Sequence, residues 1–344
     1  MTSTVLVTGA AGFIGMHVSR ALLAEGARVI GVDNLNDYYD PRLKHARLER
    51  LHATSPDFAF VRQDIADAAA VDALFRTHRP ATVVHLAAQA GVRYALSRPF
   101  SYVDSNLQGS TAVLEACRHH DVRHLVFASS SSVYGGNHKV PFSERDPVDH
   151  PVSFYAATKR ANELMAHSYA HLFGLPVTML RYFTVYGPWG RPDMAIWKFT
   201  DALLRGTPLD VYAGGTLMRD FTFGEDAARA TVALMHRPPT GAHAASPDAP
   251  TTWRADAPDR SWAPFEVYNV GRSDPVSVNT LLSLLESLTG RRAIRRALGM
   301  QPGDVERTFA DTRKLQAALG QLPEVALADG LERFVRWFRD YHAL

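Results

Sequence analysis

Residues 4–15, TVLVTGAAGFIG, place the tightest limit on the fold. An uncharged, β-branched run reads as a strand buried on both faces, which requires helices above and below it. Glycines at 9, 12 and 15 then favour a tight turn feeding directly into a helix, IGMHVSRALLAEG, which Gly26 stops. The alternation recurs. ARVIGVD, FAFVRQDI, TVVHLAA, HLVFASS and PVTMLRYF read as further strands. Helical stretches separate them, the longest being SYVDSNLQGSTAVLEACRHH and FYAATKRANELMAHSYAHLFG. Apolar strands alternating with helices predict an α/β fold, a doubly wound parallel sheet, over residues 1–183.

Beyond Phe183 the elements shorten to AIWKFTDALLRG, DVY, EDAARATVALMH, EVYNVG and VNTLLSLLESLTG. Residues 184–344 are therefore read as a smaller C-terminal α/β substrate-binding region, packed against the carboxyl end of the sheet. Within it, residues 237–264 are rich in Pro, Ala and Asp, carry no period, and read as a surface loop.

With 46% hydrophobic and 21% charged residues, the chain has the balance of an ordinary globular protein. A net charge of +2 argues against a broad nucleic-acid surface, and the one dense basic cluster, RRAIRR at 291–296, reads as solvated. Cys117 is the only cysteine. No internal disulfide can form, and a reducing compartment, the cytoplasm, is expected. Inside AVLEACRHH it reads as a buried thiol. His119, His120 and His124 follow without a second ligand pair, so no metal is expected. No apolar run is long enough to span a bilayer and no charged leader precedes the first apolar stretch, so neither a membrane span nor a signal peptide is expected.

The glycine turn has a specific chemical reading. Gly9 permits the turn, Gly12 lets backbone approach a pyrophosphate, Gly15 lets helix pack on strand, and the helix N-terminus supplies amides and a positive dipole end. Asp33 closes the second strand, where a carboxylate binds both ribose hydroxyls of adenosine and repels a 2′-phosphate. This is a Rossmann-type site selecting NAD over NADP. Asp64 ends the third strand, in reach of an adenine amino group. Ala87 and Ala88 form a small-residue floor, a feature close packing alone also explains. Tyr155 and Lys159 are four apart in a helical segment and share a face. A phenol with an ordinary pKa of ~10 is a poor base, and a neighbouring ammonium lowers it toward use as a general base.

TGAAGFIG, SSSSVYG and YAATK together resemble the extended short-chain dehydrogenase/reductase family of nucleotide-sugar enzymes. The likeness runs on through RYFTVYGPWGRPDM, RDFTF and PGDV. DNLNDYYDPRLKHARL and TVYGPWGRPDM are closer still to UDP-glucuronate 4-epimerases. The resemblance implies a bound NAD that takes a hydride from carbon 4 of a UDP-sugar and returns it to the other face. Tyr155 would be the base, Ser130 part of the proton path, and Lys159 the partner of the nicotinamide ribose. Phe13, Ile14, Asn34, Ile65, Leu86, Gln89, Ser129 and Tyr182 join the implied cofactor site. Asn106 is either part of it or a structural amide beneath it.

The residues after Ser130 separate the relatives. Sugar dehydratases carry an Asp-Glu pair where this chain has Ser131 and Ser132, and UDP-xylose-forming decarboxylases carry a glutamate at the second position. Two neutral hydroxyls cannot replace that acid and base, but with Thr184 and Arg191 they suit a sugar carboxylate. Arg191 also fits a loop-anchoring ion pair with Asp193. For the UDP end the resemblance points to Arg93, Met194, Val211, Tyr212, Arg219 and Asp304, with Gln301 standing where relatives often place an arginine. The resemblance implies a homodimer formed through the helices that hold Cys117 and Tyr155. Rival readings are a UDP-glucose/UDP-galactose 4-epimerase, a UDP-glucuronate decarboxylase and a non-enzymatic NAD-binding regulator.

Overall fold

The computed structural model describes residues 4–241, 259, 261–300, 303, 305–320 and 324–344. Most of the Pro-, Ala- and Asp-rich stretch 237–264 thus lies outside the described residues, as do Gln301 and Asp304.

Each of the six apolar runs forms a strand: β1 (Thr4–Thr8), β2 (Arg28–Asp33), β3 (Phe58–Arg62), β4 (Thr82–His85), β5 (His124–Ser130) and β6 (Val177–Tyr182). They pair in parallel, and a seventh strand from beyond residue 183, β10 (Phe265–Val270), adds to β6, giving the order β10-β6-β5-β4-β1-β2-β3. Val7 of β1 registers with Gly31 on one side and Val84 on the other. Successive connections run outward from β1 and then restart at β4. The order therefore reverses between β1 and β4, and a crevice opens at their carboxyl ends.

Strand alternation divides the core. Val5, Val7, Val84 and Val126 face α1 (Phe13–Ala24) and α8 (Gly224–Met235). Leu6, Val83, Leu125 and Phe127 face α3 (Ala68–His78), α5 (Gly109–His119) and α6 (Phe154–Phe173). Cys117 is buried in this second layer, which pushes its thiol pKa up. Residues beyond 183 thus supply both a strand and a covering helix to the large sheet. Ahead of α5, the short helix α4 (Pro99–Tyr102) and a π-helical turn (Val103–Gln108) turn Asn106 toward the sheet.

The smaller region holds β7 (Thr184–Tyr186), β9 (Met218–Phe223) and β11 (Pro275–Ser277) in one sheet, and β8 (Leu209–Tyr212) beside β12 (Arg295–Leu298) in another. Helices α7 (Ala195–Arg205), α9 (Val278–Thr289) and α11 (Leu327–His342) close over them, and α10 (Arg313–Leu319) leans on the large sheet. No helix among the described residues is long and apolar enough to cross a membrane. Leu285 on α9 is fully buried in this third core and lies outside the site cavity. Leu285→Ala should cost about 2–5 kcal/mol, read as a lower urea midpoint with an unchanged slope; an unchanged midpoint would show that this face is not packed as described.

Candidate active site

A cavity of about 850 Å³ crosses the carboxyl ends of the sheet, from Gly9 and Asp33, past Tyr155, to Tyr212 and Arg219. Gly9 has φ +72°, and its amide donates to the Val32 carbonyl at 2.7 Å. A β-carbon there would lie 2.8 Å from the Ala87 nitrogen, so the glycine turn and the small-residue floor fix each other. A β-carbon on Gly15 would meet the Gly9 carbonyl oxygen at 2.0 Å. Gly12 caps α1 with no side chain bonded to its first-turn amides. This cradle fits a pyrophosphate, held by backbone amides at the positive end of α1.

Asp33 is buried where β2 ends. Its Oδ1 accepts from the Leu35 amide at 2.8 Å and lies 3.6 Å from the Lys44 Nζ. Lys44 also donates to Asn36 Oδ1 at 2.9 Å, and burial lowers its pKa against the pull of Asp33. Asp64 accepts from Asn34 Nδ2 and the Ala66 amide, both at 2.9 Å. A carboxylate at the β2 end fits a ribose diol, so the residues present suit NAD. Phe13, Ile14, Ile65, Leu86, Ala88 and Gln89 line the same stretch of wall.

The middle of the cavity carries the titratable chemistry. Ser153 caps α6 by accepting from the Ala156 amide at 3.1 Å, which places Tyr155 and Lys159 one turn apart. Burial raises the Tyr155 pKa, the Arg191 charge and a hydrogen bond from Ser130 oppose that rise, and Asp193 adds to it. Lys159 is buried and donates to the Ala128 carbonyl at 2.9 Å. Burial pushes its pKa down to about 8, with Glu163 opposing. The sequence reading gave Lys159 the task of lowering the Tyr155 pKa. Arg191 is a second cation that favours the phenolate, one the spacing does not reveal, while the Lys159 ammonium is bonded to the end of β5.

Other expected residues turn out differently. Ser129 donates its hydroxyl to Glu163 at 2.6 Å, and Arg181 grips that carboxylate at 2.8 and 2.9 Å, so the Ser129 hydroxyl points into α6. Asn106 lies beneath the cavity wall rather than in it: it brackets the Gln89 backbone at 2.8 and 3.1 Å and donates to Thr158 at 3.0 Å. Tyr182 presents its ring to the wall while its hydroxyl pairs with Thr231 at 2.6 Å. Val211 is not in the wall. Strand alternation turns it into the third core while Tyr212 faces the cavity.

Ser130, Ser131, Ser132, Thr184, Arg191 and Met194 line the cavity around Tyr155. Ser130 Oγ accepts from the Ser132 amide and meets the Ser132 hydroxyl, both at 3.2 Å. Arg191 makes the expected ion pair, Nε to Asp193 Oδ1 at 2.9 Å, and also faces the cavity, so the two readings of it coexist. At the far end the Arg93 guanidinium stacks 4.8 Å over the Tyr212 ring, and Arg219 donates to the Met218 carbonyl at 2.8 Å. The sequence reading missed Tyr38, Lys44 and Arg296 as wall residues. Arg296 belongs to the basic cluster RRAIRR, which by sequence alone reads as solvated. It pairs in register with Asp210 across β8 and β12, and an Asp210–Tyr212 alternation extended to its partner strand would have found it.

Similarity to known proteins agrees with this geometry. The model of the NAD dependent epimerase/dehydratase family matches residues 5–248. An uncharacterized protein of Escherichia coli O111:H- is 51% identical, over 98% of each chain. A probable UDP-glucuronate 4-epimerase of Rhizobium meliloti is 47% identical, over 97% of this chain and 96% of the relative. The crystal structure of UDP-glucuronic acid 4-epimerase from Bacillus cereus, in complex with UDP-glucuronic acid and NAD, superposes with a TM-score of 0.85 at 33% identity, covering 98% of this chain and 99% of that one. With a glycine cradle, a buried carboxylate at the end of β2 and a Ser–Tyr–Lys set in one cavity, the chain belongs to the NAD dependent epimerase/dehydratase family.

Proposed function

We propose that the protein is an isomerase that converts UDP-glucuronate to UDP-galacturonate by epimerisation at carbon 4, using a retained NAD. The observation that carries this reading is the wall beside Tyr155. Ser131, Ser132 and Thr184 line it with Arg191, and the one carboxylate among them, Asp193, is paired to that arginine.

NAD, when bound, supplies the hydride acceptor and donor that takes the sugar through a 4-keto form. Tyr155 removes the proton of the 4-hydroxyl and returns it, with Ser130 hydrogen-bonded to the phenol. Arg191 favours the phenolate against the cost of burial. Lys159, fixed on the Ala128 carbonyl, keeps a positive charge beside the end of β5 where the nicotinamide ribose is assigned. A carboxylate beside a 4-keto group is a β-keto acid and loses carbon dioxide when its carbon–carbon bond aligns with the carbonyl π system. Hydroxyls of Ser131, Ser132 and Thr184 with the Arg191 fork hold it out of that alignment and add no negative charge. Dehydration needs an acid–base pair at positions 131 and 132, where this chain has only hydroxyls.

We assign the UDP end to the region after residue 183, with Met194, Tyr212 and Arg219, and Arg93 reaching in from the β4 side. Asp304, outside the described residues, stays assigned to a UDP ribose hydroxyl by resemblance alone. Exposed Leu164, Leu172 and Phe173 on α6 support a homodimer formed through α5 and α6. The cytoplasm is the proposed compartment, in keeping with a lone buried thiol.

Sugar-proton NMR of purified enzyme with UDP-glucuronate should show the galacturonate epimer and no pentose; pentose formation would make the protein a decarboxylase. Tyr155→Phe should lower kcat by at least about 10²–10⁴-fold while calorimetric binding of UDP-glucuronate stays within twofold, roughly. Because Lys159 is charged only below its depressed pKa of about 8, kcat/KM should fall as pH rises through that value. A profile flat to pH ~10 would remove the Lys159 charge from the reaction.

A further inference from the structure

The segment DNLNDYYDPRLKHAR, which reaches from the end of β2 into α2 (Pro41–Thr54), grips the loop that carries Arg191. The Tyr38 hydroxyl donates to Asp193 Oδ2 at 3.2 Å, between segments 155 residues apart in the chain. Asp193 in turn accepts from Arg191 through both oxygens, at 2.9 Å from Nε and 2.5 Å from Nη2. That arrangement leaves Nη1 as the terminal nitrogen that Asp193 does not engage. Tyr38 is itself fixed on two sides. Its ring lies 4.8 Å from that of Tyr94, and its hydroxyl packs against Gly91, where a β-carbon would lie 2.6 Å away.

A second grip acts just before Arg191. Arg47 on α2 is fully buried and donates to the Trp189 carbonyl at 2.6 and 3.0 Å and to the Gly190 carbonyl at 2.9 Å. Its remaining nitrogen donates to the Ala11 carbonyl at 3.0 Å and to the Tyr39 hydroxyl at 2.6 Å. Trp189 is held with φ +67°, a conformation that a non-glycine residue keeps only when its surroundings enforce it. The loop is therefore set by backbone contacts from the cofactor side of the molecule, and the last adjustment, the direction of the Arg191 fork, falls to Asp193 and Tyr38.

An arginine paired to a carboxylate on the same wall has a divided role: the carboxylate aims the fork but also weakens its hold on a second anion. A phenol donating to Asp193 relieves part of that conflict, because the bond draws charge density on Oδ2 away from the guanidinium. We infer that Tyr38 is a positioning residue for acid-bearing sugars, holding Asp193 so that Arg191 is presented to the sugar carboxylate from a fixed direction. The inference rests on the reading of the substrate as a UDP-hexuronate. It adds to that reading the residue pair, Tyr38 and Asp193, that makes the site choose the acid over the neutral sugar.

Tyr38→Phe removes one oxygen and keeps the ring against Tyr94, so melting temperature should change little. With the full-length enzyme, KM for UDP-glucuronate should rise about tenfold, the loss of one hydrogen bond to a charged group, with kcat within about twofold. The calorimetric Kd for UDP-glucose should stay within about twofold of wild type. Asp193→Asn should raise KM for the acid similarly, and the double variant should be no worse than the poorer single one, as two residues acting through one arginine require. Equal losses for acid and neutral ligand, or additive effects of the two substitutions, would overturn the inference. A wild-type enzyme that leaves UDP-glucuronate unchanged would overturn the substrate reading, and that failure appears before any variant is measured.

Discussion

A β-carbon at residue 15 would lie 2.0 Å from the carbonyl oxygen of Gly9, and one at residue 9 would lie 2.8 Å from the nitrogen of Ala87. These two near-contacts lock β1, α1 and the end of β4 together at the point where strand order reverses. Everything in the site is measured from there. The crevice exists because the chain leaves the paired strands β1 and β4 toward opposite faces of the sheet, and its floor is flat because Ala87 and Ala88 have no bulk to raise it. The first turn of α1 faces the crevice with its amides uncapped by any side chain. Even the distant substrate loop refers back to this turn, since Arg47 bonds the carbonyl of Ala11 as well as those of Trp189 and Gly190.

Burial sets the second constraint, because it opposes the charged form of both central residues. It raises the Tyr155 pKa and lowers that of Lys159. The fold answers each from a different direction. Tyr155 is helped by Arg191 from the loop after β7 and by Ser130 at the end of β5. Lys159 is helped by Glu163, one turn further along the same helix. Glu163 is itself buried, and Arg181 on β6 holds it through two bonds while Ser129 donates to the same carboxylate. Removing one member of such a buried pair leaves an uncompensated charge, so the pair ties the serine row to α6 as firmly as packing does.

What the sequence made legible was local in period. Six strands, the glycine turn, the Asp33 position and the Tyr155–Lys159 spacing all follow from repeats of two, three or four residues, and each of those elements stands where the period put it. Contacts between segments far apart in the chain carried no such signal. Tyr38 meets Asp193 and Arg47 meets Trp189 across more than a hundred residues, so neither was recognised although the segment holding both had been singled out. Ser129 and Ser130 are adjacent on one strand, so alternation alone sends their hydroxyls to opposite sides, and with Ser130 in the proton path the Ser129 hydroxyl belongs in α6 rather than toward the cofactor. Val211 fails on the same count beside Tyr212. The run EVYNVG was placed in the smaller region because it followed residue 183. Its pairing with β6 depends on which edge of the large sheet remained open, a property of the assembled sheet.

Charge balance links these observations to selectivity. Around Tyr155 the wall offers hydroxyls from three serines and a threonine, together with one guanidinium whose countercharge is already supplied by Asp193. A neutral sugar finds adequate hydrogen-bond partners in such a wall. An acidic sugar gains a further charge-assisted contact only if the Arg191–Asp193 pair stays fixed while a second carboxylate arrives. Were the pair free to swing, the arriving anion and Asp193 would compete for one fork, and the mutual repulsion of the two carboxylates would offset the gain. Fixing the pair from behind, with a phenol on Asp193 and a buried arginine on the preceding backbone, removes that freedom before the substrate binds. On the proposed reading, selectivity for a carboxylate depends as much on the residues that fix the Arg191–Asp193 pair as on the guanidinium itself.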